Sequence, residues 1–362
     1  MNILKSTRRF EKWLHRHTSV VEPDLQLKHR EMAESPFKFL RATFYRWAQK
    51  WPELCPNLSK APAVLAVGDL HVENFGTWRD AEGRLIWGVN DFDEAWPMAY
   101  ANDLVRLATS VLLAIEESKL RLAGKRACQS ILEGYQSALT VGGRPFVLGE
   151  NNTWLREIAE SELRDPVHFW KKLDSLPRVR GKIPRGAKDA LQHLLPEKDL
   201  PCKIVQRIAG LGSLGHPRFV SIADWCGGRI AREAKALVPS SCSWMQSSEA
   251  TPGIQYQTIV DRAVRCPDPF VRLRNRWVIR RLSPHCSRIE LATLPVKRDE
   301  MRLLNAMGWE TANIHLGSRS ATREVRRHLK RQSDGWLFFA ATEMLREVKQ
   351  DWRAWKKSGE EG

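Results

Sequence analysis

The stretch Val67-Gly-Asp-Leu-His-Val-Glu-Asn-Phe-Gly76, followed by Asn90-Asp-Phe-Asp-Glu94, decides how the rest of the chain is interpreted. An apolar run precedes each part, at residues 63–67 and 85–89, and short apolar runs bounded by turn residues are typical of buried strands. Residues 80–83, Asp-Ala-Glu-Gly, have the composition of a hairpin turn. The sequence therefore predicts a strand pair with polar residues at its end.

Folding about this turn brings Asn74 within a couple of residues of Asp91 and leaves Asp69 on the loop that leads in. Two carboxylates and an amide oxygen then meet at the end of a small sheet. Oxygen donors of this kind bind divalent cations, and a carboxylate can also act as a general base. The alternative is a set of polar turn residues around a strand pair, with no chemistry of their own.

Composition limits the class of protein. A chain of 362 residues should hold roughly two domains, or one large two-lobed unit. Its formal charge of +16 favours an anionic partner, such as nucleic acid, a membrane surface or a phosphorylated ligand. The basic residues are widely spread, with the densest run at 323–331, and no helix-turn-helix, zinc-finger or RNA-recognition signature accompanies them. A dedicated nucleic-acid-binding protein is therefore not favoured.

The seven cysteines are scattered, odd in number and never spaced as C-x-x-C. This pattern argues against a disulfide framework or a structural zinc site and favours a reducing compartment. The first residues are basic but lack the apolar region of a secretory signal, and no apolar run reaches the length of a membrane span. We expect a cytoplasmic protein without a membrane partner.

A glycine-rich segment occurs more than a hundred residues after the acidic motifs. Gly210, Gly212 and Gly215 satisfy G-x-G-x-x-G, and β-like residues 216–222 follow where a dinucleotide-binding fold would begin a helix. A glycine loop between two antiparallel strands, with a basic residue on the next strand, is the protein-kinase arrangement. A plain glycine-rich hairpin is the alternative.

The motifs resemble those of a known superfamily. Gly68-Asp-Leu-His-x-x-Asn74 with Asp91-Phe-Asp93 is similar to the catalytic and metal motifs of aminoglycoside phosphotransferases and choline kinases. The resemblance implies that Asp69 orients or deprotonates an acceptor hydroxyl, and that Asn74 and Asp91 hold Mg²⁺ on the nucleotide phosphates. It also implies a structural role for Asp103, mainly a supporting role for His71, and for Asp93 either a supporting role or a further contact with the metal.

The order of the motifs differs from that of ordinary kinases, in which the glycine loop precedes the catalytic loop. The full pattern, which includes Ser35-Pro-Phe-Lys-Phe-Leu-Arg41 and Gly212-Ser-Leu-Gly215 followed by Glu233-Ala-Lys-Ala236, resembles the bacterial domain-of-unknown-function 2252 family (DUF2252) over roughly residues 25–300. The resemblance implies a circularly permuted kinase-like fold without an established substrate.

The predicted fold class is α+β, two-lobed, with a mostly helical large lobe and a small antiparallel β nucleotide lobe. The predicted domains are a basic arm at 1–27, a catalytic core at 28–200, a nucleotide-binding β lobe at 201–295, and C-terminal helices at 296–362 that pack on the large lobe. By the resemblance, the nucleotide-binding residues are Gly210, Gly212, Ser213, Gly215 and Lys235. Arg232 is the alternative to Lys235, and Asp261 is a candidate acidic partner of the lysine.

The leading functional prediction is a phosphotransferase that depends on ATP and Mg²⁺ and acts on a hydroxyl of an unknown small-molecule or protein acceptor. Transfer of a nucleotidyl group instead of a phosphoryl group is also chemically possible on this scaffold. A catalytically silent kinase-like module that binds nucleotide or a partner for regulation is the second hypothesis. A basic nucleic-acid-associated protein is the third. A phosphoesterase-like metal site would leave the glycine loop without a role.

Overall fold

The computed structural model describes residues 1–117, 122–149, 151–161, 165–179, 181–245, 253–284, 286 and 300–360. The fold is mixed α/β, with small antiparallel sheets and helices at both ends of the chain. This agrees with the predicted α+β class, while the two-lobed, permuted kinase-like arrangement stays a prediction. Within the described ranges, no helix combines the length and apolar character that crossing a membrane requires.

The N-terminal region is helical and packed. Residues 1–27 were expected to form a basic arm, but they contain helix α1 (Ile3–His17) and the first part of α2 (Glu22–Glu34). The buried side chains of α1 include Ile3, Phe10, Trp13 and Leu14. These positions share one face at helical spacing, and burial of that face holds the segment against the core in spite of its charge.

Apolar residues recur at three- and four-residue spacing over residues 36–51, which predicts one helix. The structure has two helices there, α3 (Pro36–Ala42) and α4 (Phe44–Leu54). Ser35 caps α3 by accepting a hydrogen bond from Lys38 N, as its residue type suggests. Thr43 lies between the two helices, and its hydroxyl donates to the carbonyl of Phe39. A threonine that bonds back to the preceding turn often bends a helix, and here the chain breaks.

Two small sheets surround the acidic motifs. Strand β1 (Ala63–Ala66) pairs with β4 (Trp96–Ala99), and a second sheet has the order β2 (Phe75–Arg79), β3 (Leu85–Val89), β5 (Phe146–Val147). The predicted hairpin is confirmed, because Thr77 pairs with Trp87 and Arg79 with Leu85. Asn90 N donates to the carbonyl of Asn74 at 3.0 Å, which places Asn74 beside Asp91 as expected.

The main core is built from helices that are distant in sequence: α5 (Ala101–Glu117), α6 (Gly124–Val141), α12 (Glu300–His315) and α14 (Trp336–Glu360). Helix α14 also reaches the N-terminal helices. The Arg46 guanidinium donates twice to Asp351, from Nε at 2.6 Å and Nη2 at 3.0 Å. Both side chains are buried, so this pair joins the two ends of the chain.

Helices α6 and α12 cross with their backbones in direct contact. A Cβ at Gly308 would lie 1.9 Å from the carbonyl oxygen of Ile131, and a Cβ at Gly134 would lie 1.9 Å from that of Asn305. Real side chains cannot approach backbone so closely, so glycine is required at both positions.

Gly308→Ala is therefore expected to destabilise the protein by about 1–3 kcal/mol, although alanine normally stabilises a helix relative to glycine. The free energy of unfolding in urea measures this effect. Gly149→Ala is the matched control, because its Cβ position has no neighbour within 4 Å. A Gly308→Ala variant as stable as the control would contradict the close crossing.

The largest sheet has the strand order β6-β7-β8-β10-β9, and each neighbouring pair is antiparallel. Its strands are β6 (Lys203–Gln206), β7 (Arg218–Trp225), β8 (Gly228–Ala236), β9 (Arg272–Arg274) and β10 (Trp277–Leu282). The loop between β6 and β7 contains the glycine-rich segment. This sheet is the antiparallel β unit that the sequence predicts.

Each face of this sheet carries a helix. Helix α8 (Pro166–Asp174) places Phe169 and Leu173 against one face, and α9 (Arg185–His193) places Ala187 and Leu191 against the other. Residues 166–193 thus lie with the sheet, although the prediction assigned them to the catalytic core. The predicted boundary at residues 295 and 296 lies outside the described residues.

Further helices are α7 (Thr153–Ser161), α10 (Ser241–Met245), α11 (Tyr256–Arg262) and α13 (Thr322–Leu329).

Candidate functional site

A cavity of about 400 Å³, called the central cavity below, is lined both by residues 69–94, the acidic segment, and by the five-stranded sheet with its glycine loop, residues 210–215. Most of the predicted site residues line it together: Asp69, Asn74, Asp91, Gly210, Gly212, Ser213 and Lys235. Two stretches of chain more than a hundred residues apart thus form one site.

Gly215 is the predicted site residue that the central cavity does not include. Its carbonyl accepts a hydrogen bond from Val21 N at 2.8 Å, and its φ of +95° lies in the region that favours glycine. Gly215 therefore shapes the end of the glycine loop and joins it to the N-terminal region.

Asp103, on α5, holds the backbone of the loop that carries Asp69. The two Asp103 carboxylate oxygens accept hydrogen bonds from Val67 N at 2.7 Å and Gly68 N at 2.9 Å. Gly68 has a φ of +81°, and a Cβ there would lie 2.4 Å from the carbonyl oxygen of Glu94. The sharp turn at Gly68 thus brings the two halves of the acidic segment together.

Arg106 holds the Asp69 carboxylate. Its Nε donates to Asp69 Oδ1 at 2.8 Å, and its Nη2 donates to the same oxygen. The guanidinium is fully buried and lies 5.0 Å from the ring centroid of Phe44 and 4.9 Å from that of Trp47. Burial raises the pKa of Asp69 to about 6, although the Arg106 charge opposes the rise.

Asn74 is buried at the end of a short 3₁₀ turn, Val72–Asn74. Its side-chain Oδ1 accepts a hydrogen bond from His71 N at 2.6 Å, which uses one of the two lone pairs of that oxygen. His71 Nδ1 accepts from Glu73 N at 3.2 Å. These bonds give both side chains a part in shaping the turn.

Lys235 bridges the two aspartates of the acidic segment. Its Nζ lies 2.5 Å from Asp93 Oδ2 and 3.7 Å from Asp91 Oδ1, and its side chain is only 5% exposed. Burial acts to raise the pKa of Asp91, but the Lys235 charge outweighs it, so this pKa lies below its usual range. Burial and the neighbouring Asp91 charge raise the pKa of Asp93. Asp91 therefore carries the more persistent negative charge.

The alternatives for the basic residue and its partner are separated by position. Arg232 does not line the central cavity; its Nε donates to the carbonyl of Leu194, and its guanidinium stacks on Phe270. Asp261 accepts a hydrogen bond from Gln257 at the surface. Lys235 is thus the cavity-facing residue of the two, and Asp93 is its acidic partner.

An arginine cluster lies on the same face of the sheet as Lys235. The fully buried Glu233 carboxylate accepts from Arg280 Nε at 2.7 Å, from Arg218 Nη1 at 3.4 Å and from Arg207 Nη1. Three guanidiniums around one carboxylate leave an excess of positive charge on this wall of the central cavity. Asp69, Asp91 and Asp93 line the wall that the acidic segment forms.

The glycine loop lies against the acidic segment. Lys28 Nζ donates to the carbonyl of Gly212 at 2.7 Å, and burial lowers the pKa of Lys28 to about 8. A Cβ at Gly212 would lie 3.1 Å from the carbonyl oxygen of Arg41 and 3.5 Å from Asp69 Oδ2. Ser213 Oγ accepts from Arg218 Nη2 at 2.8 Å, which connects the loop to the arginine cluster.

A family comparison covers the acidic half of this site. Residues 20–165 match the DUF2252 family model. Its description is "Uncharacterized protein conserved in bacteria". The match supports the DUF2252 resemblance over these residues, a shorter range than the predicted 25–300. Comparisons with curated proteins and with solved structures found no match.

The matched range contains Asp69, Asn74, Asp91, Asp93 and Arg106, whereas the glycine loop and Lys235 follow it. Arg106 and the arginine cluster were not predicted from the sequence. The available signals were an arginine within the apolar stripe of α5, and Glu233 two positions before Lys235 on the same face of a strand.

The donor atoms near Asp91 suit Mg²⁺ only in part. Among the described residues, no three His, Cys, Asp or Glu side chains are arranged to hold a metal ion. Mg²⁺ is usually bound by one or two carboxylates together with water and substrate phosphates, so a full protein cage is not needed. Asp91 is 41% exposed in its side chain, and Asp93 Oδ1 is buried without a hydrogen-bond partner in the described chain. Asp91 and Asp93 therefore offer oxygen atoms to a cation.

Proposed function

We propose that the protein is a phosphotransferase that uses ATP and Mg²⁺ and acts on a hydroxyl acceptor, with a kinase-like, two-lobed and permuted fold. One observation carries the proposal. The acidic segment and the glycine loop with Lys235, separated by more than a hundred residues, line the same cavity. A glycine loop over the phosphates, a strand lysine and metal-binding acidic residues are the recurring parts of a kinase site.

The two walls of the central cavity suit the two parts of a metal-bound nucleotide. Lys235 and the arginine cluster would neutralise the phosphates, and the glycine loop would bring backbone amides close to them. Asp91 would hold Mg²⁺ together with Asn74, whose amide oxygen retains one lone pair. When bound, Mg²⁺ would supply charge neutralisation on the phosphate oxygens.

Asp69 is proposed to accept the proton of the acceptor hydroxyl. Arg106 engages Asp69 Oδ1, which leaves Oδ2 on the side of the glycine loop and the central cavity. A carboxylate held by a buried guanidinium keeps a fixed direction, and a general base must lie within hydrogen-bond reach of the proton that it takes.

The elevated pKa of Asp69 leads to a pH dependence. A general base must be deprotonated, so kcat/KM is expected to fall about tenfold per pH unit below pH 6 and to level off above it. Phosphoryl transfer or ATP hydrolysis measured from pH 5 to 8 checks this, with circular dichroism to show that the fold persists at pH 5. A flat profile between pH 5 and 6.5 would exclude Asp69 as the base.

A second candidate function is a catalytically silent nucleotide-binding module. The observation in its favour is that a Cβ at Gly212 would lie only 3.5 Å from Asp69 Oδ2, so the glycine loop leaves little room where an acceptor hydroxyl would have to lie. In that case nucleotide binding serves regulation, and Asp69 has no proton to accept.

The experiment that tests the proposal uses ATP labelled at the γ- or the α-phosphate, with Mg²⁺ and the full chain. Transfer of label to protein, water or an added acceptor from the γ-position supports phosphoryl transfer, whereas transfer from the α-position indicates nucleotidyl transfer. A thermal shift with Mg-ATP but no transfer supports the silent module. The absence of any shift at millimolar nucleotide overturns both proposals.

A further inference from the structure

One carboxylate oxygen of Asp93 is buried in the wall of the central cavity without a hydrogen-bond donor. Asp93 Oδ2 contacts Lys235, whereas Asp93 Oδ1 is buried and receives no hydrogen bond from an N–H or O–H group of the described residues. The Asp91 carboxyl group lies close enough to share a proton with the Asp93 carboxyl group. Buried polar atoms are nearly always paired, so an unpaired carboxylate oxygen in a cavity wall needs an explanation. Asn74 Oδ1 accepts the His71 N–H and keeps one lone pair.

Lys235 lies where a cation shared by Asp91 and Asp93 would lie. Its ammonium is 2.5 Å from one carboxylate and 3.7 Å from the other, and it is almost completely buried between them. The ammonium is thus the counterion of the two aspartates in this structure. A divalent cation that binds the same two carboxylates would meet that positive charge at close range.

We propose that Asp93 is a ligand of the divalent cation together with Asp91, and that Lys235 competes with the cation for this pair of carboxylates until nucleotide phosphates bind. The inference rests on the proposed function and assigns the metal site within it. Nucleotide phosphates offer Lys235 another anionic partner, so the ammonium leaves Asp93 when they are present. The cation neutralises the aspartates that repel the phosphates, and the phosphates neutralise the Lys235 ammonium that repels the cation. Binding of either one therefore strengthens binding of the other.

Because of this competition, loss of the Lys235 ammonium should change the affinity for the divalent cation and the affinity for ATP in opposite directions. Lys235→Met removes the competing ammonium, so cation binding without nucleotide is expected to become roughly tenfold tighter. The same change removes a phosphate contact, so ATP binding is expected to weaken roughly tenfold. A lysine that acts only as a phosphate contact would weaken ATP binding without tightening cation binding.

The test is Mn²⁺ binding to the full chain at pH 8, followed by electron paramagnetic resonance with and without ATP. Asp93→Asn is expected to weaken Mn²⁺ binding at least about tenfold, as is Asp91→Asn. Lys235→Arg retains the charge and is expected to stay close to the wild type. Lys172→Met is the matched control, since Lys172 also lines the central cavity and forms no ion pair within the described residues. Thermal unfolding of each variant shows that it is folded.

The outcomes separate this inference from the proposed function. Tighter Mn²⁺ binding by Lys235→Met together with weaker binding by Asp93→Asn supports the inference. Wild-type protein that binds Mn-ATP while Asp93→Asn binds it equally well, or Lys235→Met that binds Mn²⁺ no tighter than Lys172→Met does, overturns the inference alone. Wild-type protein that binds neither Mn²⁺ nor ATP overturns the proposed function as well.

Discussion

Asp69→Asn is expected to lower the rate of phosphoryl transfer by about 10²- to 10⁴-fold, the range that a positioned general base contributes. Asparagine has the same size and still offers an oxygen to Arg106, so the loop keeps its shape. It cannot accept the hydroxyl proton at neutral pH. Because Asp69 does not contact the nucleotide in the proposed arrangement, affinity for Mg-ATP is expected to change by less than about threefold.

Single-turnover transfer from γ-labelled ATP measures the rate, and a titration of the thermal shift with Mg-ATP measures the affinity. Asp224→Asn is the control, because Asp224 is exposed on β7 and does not line the central cavity. An Asp69→Asn variant with the wild-type rate would remove Asp69 from the chemistry. A variant that loses Mg-ATP affinity as well as rate would instead indicate that Asp69 acts on the bound nucleotide.

Glu233→Gln is expected to destabilise the protein by about 3 kcal/mol, the lower end of the range for removing one partner of a buried ion pair. The fully buried carboxylate is the shared acceptor of Arg207, Arg218 and Arg280. The lower end applies because Arg207 and Arg280 keep 19% and 30% of their side chains exposed and regain some hydration, whereas Arg218 keeps 3%.

The three guanidinium charges hold the pKa of Glu233 well below its usual range, against the effect of burial. A depressed carboxyl pKa contributes stability above the pKa of the unfolded chain, and this contribution disappears as the pH falls through the folded-state pKa. The stability difference between wild type and Glu233→Gln should therefore be complete at pH 7 and shrink at strongly acidic pH.

Urea unfolding at several pH values checks this expectation, with Glu82→Gln as the control at an exposed position of the β2–β3 turn. Equal stability of Glu233→Gln and the wild type at pH 7 would show that the arginine cluster is stabilised by hydration rather than by Glu233.

Local patterns in the sequence were enough to predict the hairpin and the acidic segment. The turn residues at 80–83 and the two apolar runs set the register in which Thr77 faces Trp87, and this register brings Asn74 next to Asp91. The glycine spacing and the following β-like residues likewise gave the antiparallel strands on either side of the glycine loop.

Contacts between distant residues could not be predicted in this way. Lys235 and Asp93 are 142 residues apart, and Asp69 and Arg106 are 37 apart, so no periodic pattern relates them. The N-terminal helices were missed for a different reason. Their buried face is narrow and lies among many basic residues, so the basic composition led to the prediction of an arm. The helical spacing of the apolar residues in this segment agrees with the observed helix.

The Arg46–Asp351 pair has a consequence for synthesis of the protein. The helical core receives residues from both ends of the chain, so it is incomplete until α14 has left the ribosome. The five strands of the large sheet all lie within residues 203–282, and proteins or segments with local contacts fold early. The sheet can therefore form during translation, whereas the helical core is complete only after α14 has been synthesised.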